Sequence, residues 1–311
     1  MKFKRFISII LVVLLLVSFT ACAKLNGGYV QLPSPFDTDS GVSDSSNVVS
    51  GNTSSESTPA LTIECNNNEI VRVTDYITDA KVDIKYATSD NFTGGQIYDF
   101  DDAYLRYGTV IKLKKAADAL RTQGYRIVIW DGYRPQSAQF TLFENAPDPS
   151  YVSDPNKGFS SHSSGGTVDI TLAKADGTIL EMPSGFDEFS AKGDRIYDDV
   201  SEIAGSNSQI LEKAMTDAGF KGYSKEWWHY SDTDTYEYDD IKNVKPLNKS
   251  KKTYKADCEE FIKLRKSPSV DAEAVAQIPV DGEMIPYCWI GNFIGVKFGE
   301  YTGYVSNDYV K

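Results

Sequence analysis

Ser160-Ser161-His162-Ser163-Ser164-Gly165-Gly166-Thr167-Val168-Asp169-Ile170-Thr171-Leu172 is the stretch from which the rest of the chain is best read. It ends in an apolar, β-branched run, Val168 to Leu172, of the kind that forms a buried strand. His162 stands seven residues ahead of Asp169. On a continuous strand that odd offset would send the two side chains to opposite faces. Gly165 and Gly166 intervene, and glycine lets the chain turn where other residues resist. A turn there lets the imidazole and the carboxylate converge.

The 311 residues contain one other histidine, His229, in Lys225-Glu226-Trp227-Trp228-His229-Tyr230-Ser231, with Glu226 three residues before it. Two histidines, one carboxylate and an open position form the ligand set of a catalytic zinc. A further carboxylate nearby can act as base on water. His162, Asp169 and His229 are therefore candidate ligands, and Glu226 the candidate base. The competing reading, two hydrogen-bonded structural histidines, is the default for a lone histidine. It fits less well here, where both histidines come with acidic partners and with Gly or Trp around them.

SSHSSGGTVD resembles the SxHxxGxAxD motif of the D-alanyl-D-alanine dipeptidases of the VanX type, within the M15 metallopeptidases. DIKYATSDNFTG, WDGYRP and EWWHY are similar to further segments of that family, in the same order, over Asp83 to Tyr230. The resemblance implies an α+β, hedgehog/DD-peptidase-like catalytic domain with a mostly antiparallel sheet. It also implies one zinc held by His162, Asp169 and His229, with Glu226 as general base. Arg134 would stabilise the oxyanion of a tetrahedral intermediate, a task suited to a group that keeps its charge. Tyr86, Ser160 and Asp187 would line the substrate pocket, with Asp187 meeting the ammonium of a free dipeptide. Without the family, Asp187 reads as an ordinary residue of an acidic loop. Asp131, in the WDGYRP segment, is expected to steady the groups around the metal rather than to ligate it.

The implied substrates are D-Ala-D-Ala or related D-amino-acid peptides of the cell wall. A DD-carboxypeptidase acting on wall stem peptides is the nearest alternative, and a catalytically silent wall-binding lipoprotein a more distant one. The sequence departs from the family in Thr167, where the motif has Ala, and in a stretch between Arg134 and His162 that looks shorter and would leave the cleft more open. An export signal also contrasts with the cytoplasmic resistance-type enzymes.

Outward from this centre, Lys81 to Ala87 alternates like a strand. Val110, Ile111, Leu113, Ala116, Ala117 and Leu120 recur at helical spacing, and Gly124 follows as a C-cap would. Arg126 to Trp130 reads as a buried strand. A second helix is expected from Ser206 or Asn207, carrying Ile210, Leu211, Ala214 and Met215 and ending at Gly219. Strand-like patterning returns around Trp227 and Trp228. This interleaving without a βαβ repeat predicts an α+β domain over residues 61–241.

Residues 242–253 read as a polar linker. From Tyr254 short strands follow, Phe261 to Arg265, Ala274 to Ile278, Met284 to Trp289, Phe293 to Phe298 and Tyr304-Val305, as in a small all-β barrel. FIKLRKSPS and YTGYVSNDYV resemble a bacterial SH3-like domain, which implies peptidoglycan as a partner of residues 254–311.

At the other end, Lys2, Lys4 and Arg5 precede an apolar run, Ile7 to Val17, too short to cross a bilayer core of roughly 30 Å. Residues 1–22 read as a signal peptide. Phe19-Thr20-Ala21-Cys22 resembles a lipobox, which would lipidate Cys22 and tether the protein to the outer face of the cytoplasmic membrane. Residues 23–60, rich in Ser, Gly, Asp and Pro, read as a flexible tether. Three cysteines remain, Cys65, Cys258 and Cys288; the last two could pair outside the cell or pack as free thiols. With 41% apolar residues the chain can build a core, while a net charge of −12 argues against nucleic acid as a partner.

Overall fold

The computed structural model describes residues 63–238 and 253–311. The signal-like segment 1–22 with Cys22, the tether 23–60 and most of the linker, Lys242–Lys252, lie outside the described residues.

In chain order the elements are β1 (Ile70–Arg72), β2 (Lys81–Val82), β3 (Tyr104–Arg106), α1 (Tyr107–Arg121), β4 (Tyr125–Asp131), α2 (Gln136–Asn145), β5 (Thr167–Lys174), α3 (Glu202–Ala218), β6 (Phe220–Tyr223) and β7 (Glu226–Asp232). The C-terminal part adds β8 (Tyr254–Lys255), β9 (Phe261–Arg265), β10 (Ala274–Pro279), β11 (Glu283–Ile290), β12 (Phe293–Phe298) and β13 (Tyr301–Ser306).

One sheet has the order β2-β4-β5-β7-β6. Only β2 runs parallel to its neighbour, so the sheet is mostly antiparallel, as expected. α1 and α3 pack on each other and on this sheet. α1 buries Val110, Leu113, Ala116, Ala117 and Leu120, the stripe its spacing predicts, whereas Ile111 faces solvent at 45% exposure. Each fully buried Leu or Val of this kind stabilises the fold by about 1.5–3 kcal/mol.

Several expectations need correction. The strand at Lys81 stops at Val82, and a 3-10 turn over Lys85–Ala87 follows, burying Ile84 and Tyr86 together. α3 begins at Glu202 rather than near Ser206. Ser201 is its cap, its hydroxyl accepting from Ala204 N at 3.0 Å. α2 was not expected. It buries Ala138, Gln139 and Leu142 and follows directly on Pro135.

No closed barrel is seen among the described C-terminal strands. They run in the open order β10-β9-β13-β12-β11 and continue through β1 into β3, making one eight-stranded sheet with β8 beside β11. The reason is edge pairing: β11 accepts β1 through Ile70 opposite Trp289, and β1 pairs in full with β3. An unpaired edge is costly, and two short strands from earlier in the chain cover it here. Tyr104 of β3 then packs edge-on against Trp289, with ring centroids 5.4 Å apart.

Candidate active-site cleft and metal centre

Strand register brings the ligands together. β5 and β7 pair so that Asp169 stands opposite His229, and β4 sets Asp131 opposite Asp169 on the other side. His162 arrives from outside the sheet, on a 3-10 turn over Ser161–Ser164 that Gly165 closes with φ 77°. A Cβ on Gly165 would lie 2.6 Å from Ile70 Cδ1, so backbone angle and space both require glycine. Buried Arg106 fastens this turn, its Nε donating to Ser164 O at 2.7 Å and its backbone N–H to Gly165 O at 2.8 Å. The glycine turn predicted from sequence thus does bring the imidazole and the carboxylate to one point.

Around that point His162 Nε2 lies 3.3 Å from Asp169 Oδ2 and 3.3 Å from His229 Nδ1, and His229 Nδ1 lies 3.1 Å from Asp169 Oδ1. His162 Nδ1 sits 2.9 Å from Gly132 O. A carbonyl can only accept, so that nitrogen carries the proton and Nε2 turns a lone pair inward. His229 turns its Nδ1 to the same point, while its Nε2 lies 3.4 Å from Ser231 Oγ. Asp169 Oδ1 is buried and accepts no hydrogen bond despite its nearness to His229. Two ring nitrogens and a carboxylate oxygen thus converge within 4.8 Å of one another, where a cation can be held. Two imidazoles and a carboxylate are the donor set of a borderline divalent ion, and the residues fit one. Burial would raise the Asp169 carboxyl, yet the two histidines hold it well below the usual range.

Glu226 reaches the same spot because β7 is irregular. One step along β6, from Gly222 to Tyr223, moves the partner on β7 from Tyr230 to Glu226. This bulge over 227–229 breaks the alternation of the strand. Glu226 Oε2 then lies 3.4 Å from His229 Nδ1, an approach that three-residue spacing on a regular strand forbids. Arg195 fills the bulge. Its Nη2 donates to Trp227 O at 3.1 Å and His229 O at 3.0 Å, and its Nε to Tyr223 O at 2.8 Å. A Cβ on Gly222 would sit 2.4 Å from Arg195 Cζ, so this glycine makes room for the guanidinium.

The centre opens into a cleft of about 310 Å³ lined by Tyr86, Arg134, Ser160, Asp187, Tyr223 and Glu226 besides the ligands. Burial, with the nearby Asp169 and Asp187 carboxylates, pushes Glu226 up to about 7, while His229 opposes the rise. Asp187 is also pushed up to about 7, chiefly by burial. Its carboxylate accepts from Tyr86 OH at 2.6 Å, and its φ of 51° is a conformation few residues adopt.

Arg134 is buried, its Nε and Nη2 donating to Asp131 Oδ2 at 3.0 and 2.6 Å and its Nη1 to Gln139 Oε1 at 3.0 Å. Asp131 also accepts from Tyr98 OH and from Gly132 N, both at 2.8 Å. It fixes Arg134 and, through Gly132, the carbonyl that orients His162. That is the supporting place expected for it.

The candidate residues read from sequence, His162, Asp169, His229, Glu226, Arg134, Tyr86, Ser160 and Asp187, all line this one cleft. Arg106, Arg195, Gln139 and Tyr98 were not foreseen. Only Gln139 left a trace, as a polar residue on the apolar face of a helix.

The sequence profile of peptidase M15, described as D-Ala-D-Ala dipeptidase, matches residues 66–246. The D-alanyl-D-alanine dipeptidase of Escherichia coli (strain K12) is 38% identical over 162 residues, covering 52% of this chain and 83% of that protein. The D-alanyl-D-alanine dipeptidase of Enterococcus faecium is 36% identical, over 48% of this chain and 83% of its own. That of Streptomyces coelicolor (strain ATCC BAA-471 / A3(2) / M145) is 31% identical, over 51% and 89%. Among solved structures, the LdcB LD-carboxypeptidase aligns with 41% of this chain and 58% of its own at 23% identity, with a TM-score of 0.29.

Proposed function

This chain belongs to the M15 peptidases, the family described as D-Ala-D-Ala dipeptidases, and from that premise we propose that it hydrolyses D-alanyl-D-alanine to D-alanine with zinc as cofactor. The observation that carries the reading is the convergence of His162 Nε2, Asp169 and His229 Nδ1 on one point, with Glu226 3.4 Å from His229. A binding protein has no use for that second carboxylate.

His162, Asp169 and His229 would hold the zinc, which would supply a Lewis acid for the scissile carbonyl and for water. Glu226 takes the proton of the attacking water and passes it to the leaving amine. Burial favours its protonated form, which suits a group that must both gain and lose a proton. Arg134, its charge secured by Asp131, donates to the oxyanion of the tetrahedral intermediate through N–H groups not spent on Asp131 and Gln139.

Asp187 receives the substrate ammonium, and Tyr86 keeps its carboxylate aimed. A half-buried carboxylate in the cleft wall favours a free dipeptide, whose ammonium sits one residue from the scissile bond. A stem peptide would bring uncharged amide to the same place. Ser160 caps the His162 turn and borders the substrate. The wall dipeptide is the substrate class, and turnover of wall fragments the setting.

Export, lipidation at Cys22 and placement on the outer face of the membrane are part of the proposal and are supported by the sequence of residues 1–22. Peptidoglycan binding by an SH3-like C-terminal region is supported by the sequence resemblance. A second cavity of about 200 Å³, lined by Phe261, Arg265, Val270, Phe293 and Tyr309, offers aromatic and cationic groups for a wall peptide.

Glu226→Ala is the test. The variant should keep its zinc and lose hydrolysis of D-Ala-D-Ala by about 10²-fold or more. Full activity in a zinc-loaded variant sinks the mechanism.

A further inference from the structure

Cys65 and Cys288 lie far apart in sequence and meet in space. Cys65 precedes β1, and Cys288 lies on β11, the strand that β1 joins. With Glu69 they form a compact group whose two sulfurs and carboxylate oxygen all lie within 4.8 Å of one another. The position looks built for Cys288: it stands opposite Gly295, where a Cβ would come 2.3 Å from its sulfur. Cys258, the partner the sequence suggested, lines the cavity with Phe261 and Tyr309 instead.

We infer that Cys65 and Cys288 close to a disulfide that clamps the C-terminal strands to the segment ahead of β1. Both thiols are free in this structure. Burial differs between them: Cys288 is fully buried and Cys65 partly exposed. Cys65 is thus the thiol an external reagent reaches, and a hydrogen bond from Cys288 favours its thiolate while burial opposes it. The Cys65 thiolate attacks a disulfide donor, either a thiol–disulfide oxidoreductase or a small-molecule disulfide, and releases one donor thiol. Cys288 then gives up its proton and attacks Cys65 Sγ, and the second donor thiol leaves. Two protein thiols are oxidised and one donor disulfide is reduced to two thiols. The second step is internal, so it needs no access to Cys288.

Glu69 argues for a disulfide over a metal. Its Oε2 already accepts from Asn66 N at 2.8 Å and its Oε1 from Tyr304 OH at 2.5 Å, which leaves the two sulfurs as the main ligands. The bond would tie β11 to the chain just after residues 23–60, so a pull through that segment would be borne by the sheet as well as by β1.

The full chain, reduced and then treated with oxidised glutathione, is alkylated and mapped without reduction. The expected product is a peptide pair joining Cys65 to Cys288, lighter by two hydrogens than the free peptides, with Cys258 alkylated. In Cys288→Ser, glutathione should remain on Cys65. In Cys65→Ser, which changes only the partly exposed partner, native Cys288 should take up none. Alkylation of both Cys65 and Cys288, or a link from Cys288 to Cys258, overturns the inference. So does a pair that resists oxidation until a chelator strips zinc from the reduced chain.

Discussion

Replacing Asp187 by Asn probes the pocket through stability as well as activity. The Asp187 carboxyl sits at about 7 instead of 3.8, chiefly because it is buried. Ionising it in place costs about 4 kcal/mol, an upper value because the residue keeps some contact with water. A carboxyl raised in the folded state favours folding in its protonated form. That contribution is complete below the ordinary carboxyl range and is lost as pH rises through 7. Asn carries no charge at any pH, tolerates the φ of 51°, and can still accept from Tyr86 OH. Denaturant titrations of the chelated protein should therefore find Asp187→Asn more stable than wild type by about 2–4 kcal/mol near pH 8. The gap should shrink toward zero near pH 4. Chelation matters, since a nearby divalent cation would hold the carboxylate ionised. The same variant should lose about 10²-fold in kcat/KM on D-Ala-D-Ala, the order expected when a charged partner is removed from a buried pair. A variant less stable than wild type near pH 8, or a gap that does not change with pH, refutes the buried-charge reasoning.

Other outcomes follow from the same geometry. Arg195→Met removes two hydrogen bonds to backbone carbonyls in the bulge between Glu226 and Tyr230 and a third to Tyr223 on β6, and should lower kcat by about 10-fold to 10²-fold with a smaller change in KM. Gly222→Ala should do the same by displacing the guanidinium, and wild-type turnover in both variants would show that the bulge holds itself. In pH–rate profiles of the zinc-loaded protein, kcat/KM should fall toward acid pH with a limb below 7, because the bound cation lowers the pH at which Asp187 and Glu226, both raised by burial, take up protons. In kcat the limb should move to still lower pH, because the substrate ammonium keeps the Asp187 carboxylate ionised. An identical limb in both profiles would contradict these assignments.

The chemistry of the cleft was legible because it is local. His162, the two glycines and Asp169 fall within eight residues, and Glu226 and His229 within four. α1, β4 and β5 were legible for a similar reason, since their apolar periodicity belongs to a single element. What escaped depends on partners distant in sequence. Gly205, Ser206 and Asn207 are poor helix formers, so the pattern placed the start of α3 after them; Gly205 packs against Tyr197 and Ser208 is buried, and that packing outweighs propensity. The edge pairing of β1 with β11 joins residues more than 200 positions apart, and nothing in Ile70–Arg72 announces it. Arg195 reads as a surface cation until the bulge it fills is seen. Asp187 stood out only through the family resemblance, because burial is what makes it unusual.

The central claim is that His162, Asp169 and His229 hold a metal with which Glu226 cleaves a D,D-dipeptide. It is tested most directly by following release of D-Ala from D-Ala-D-Ala by the purified protein, with zinc, with a chelator, and with zinc restored. Hydrolysis should be abolished by the chelator and recovered with zinc, and His162→Ala should show none. Release of D-Ala that persists without metal, or no release from a fully zinc-loaded protein, would contradict it.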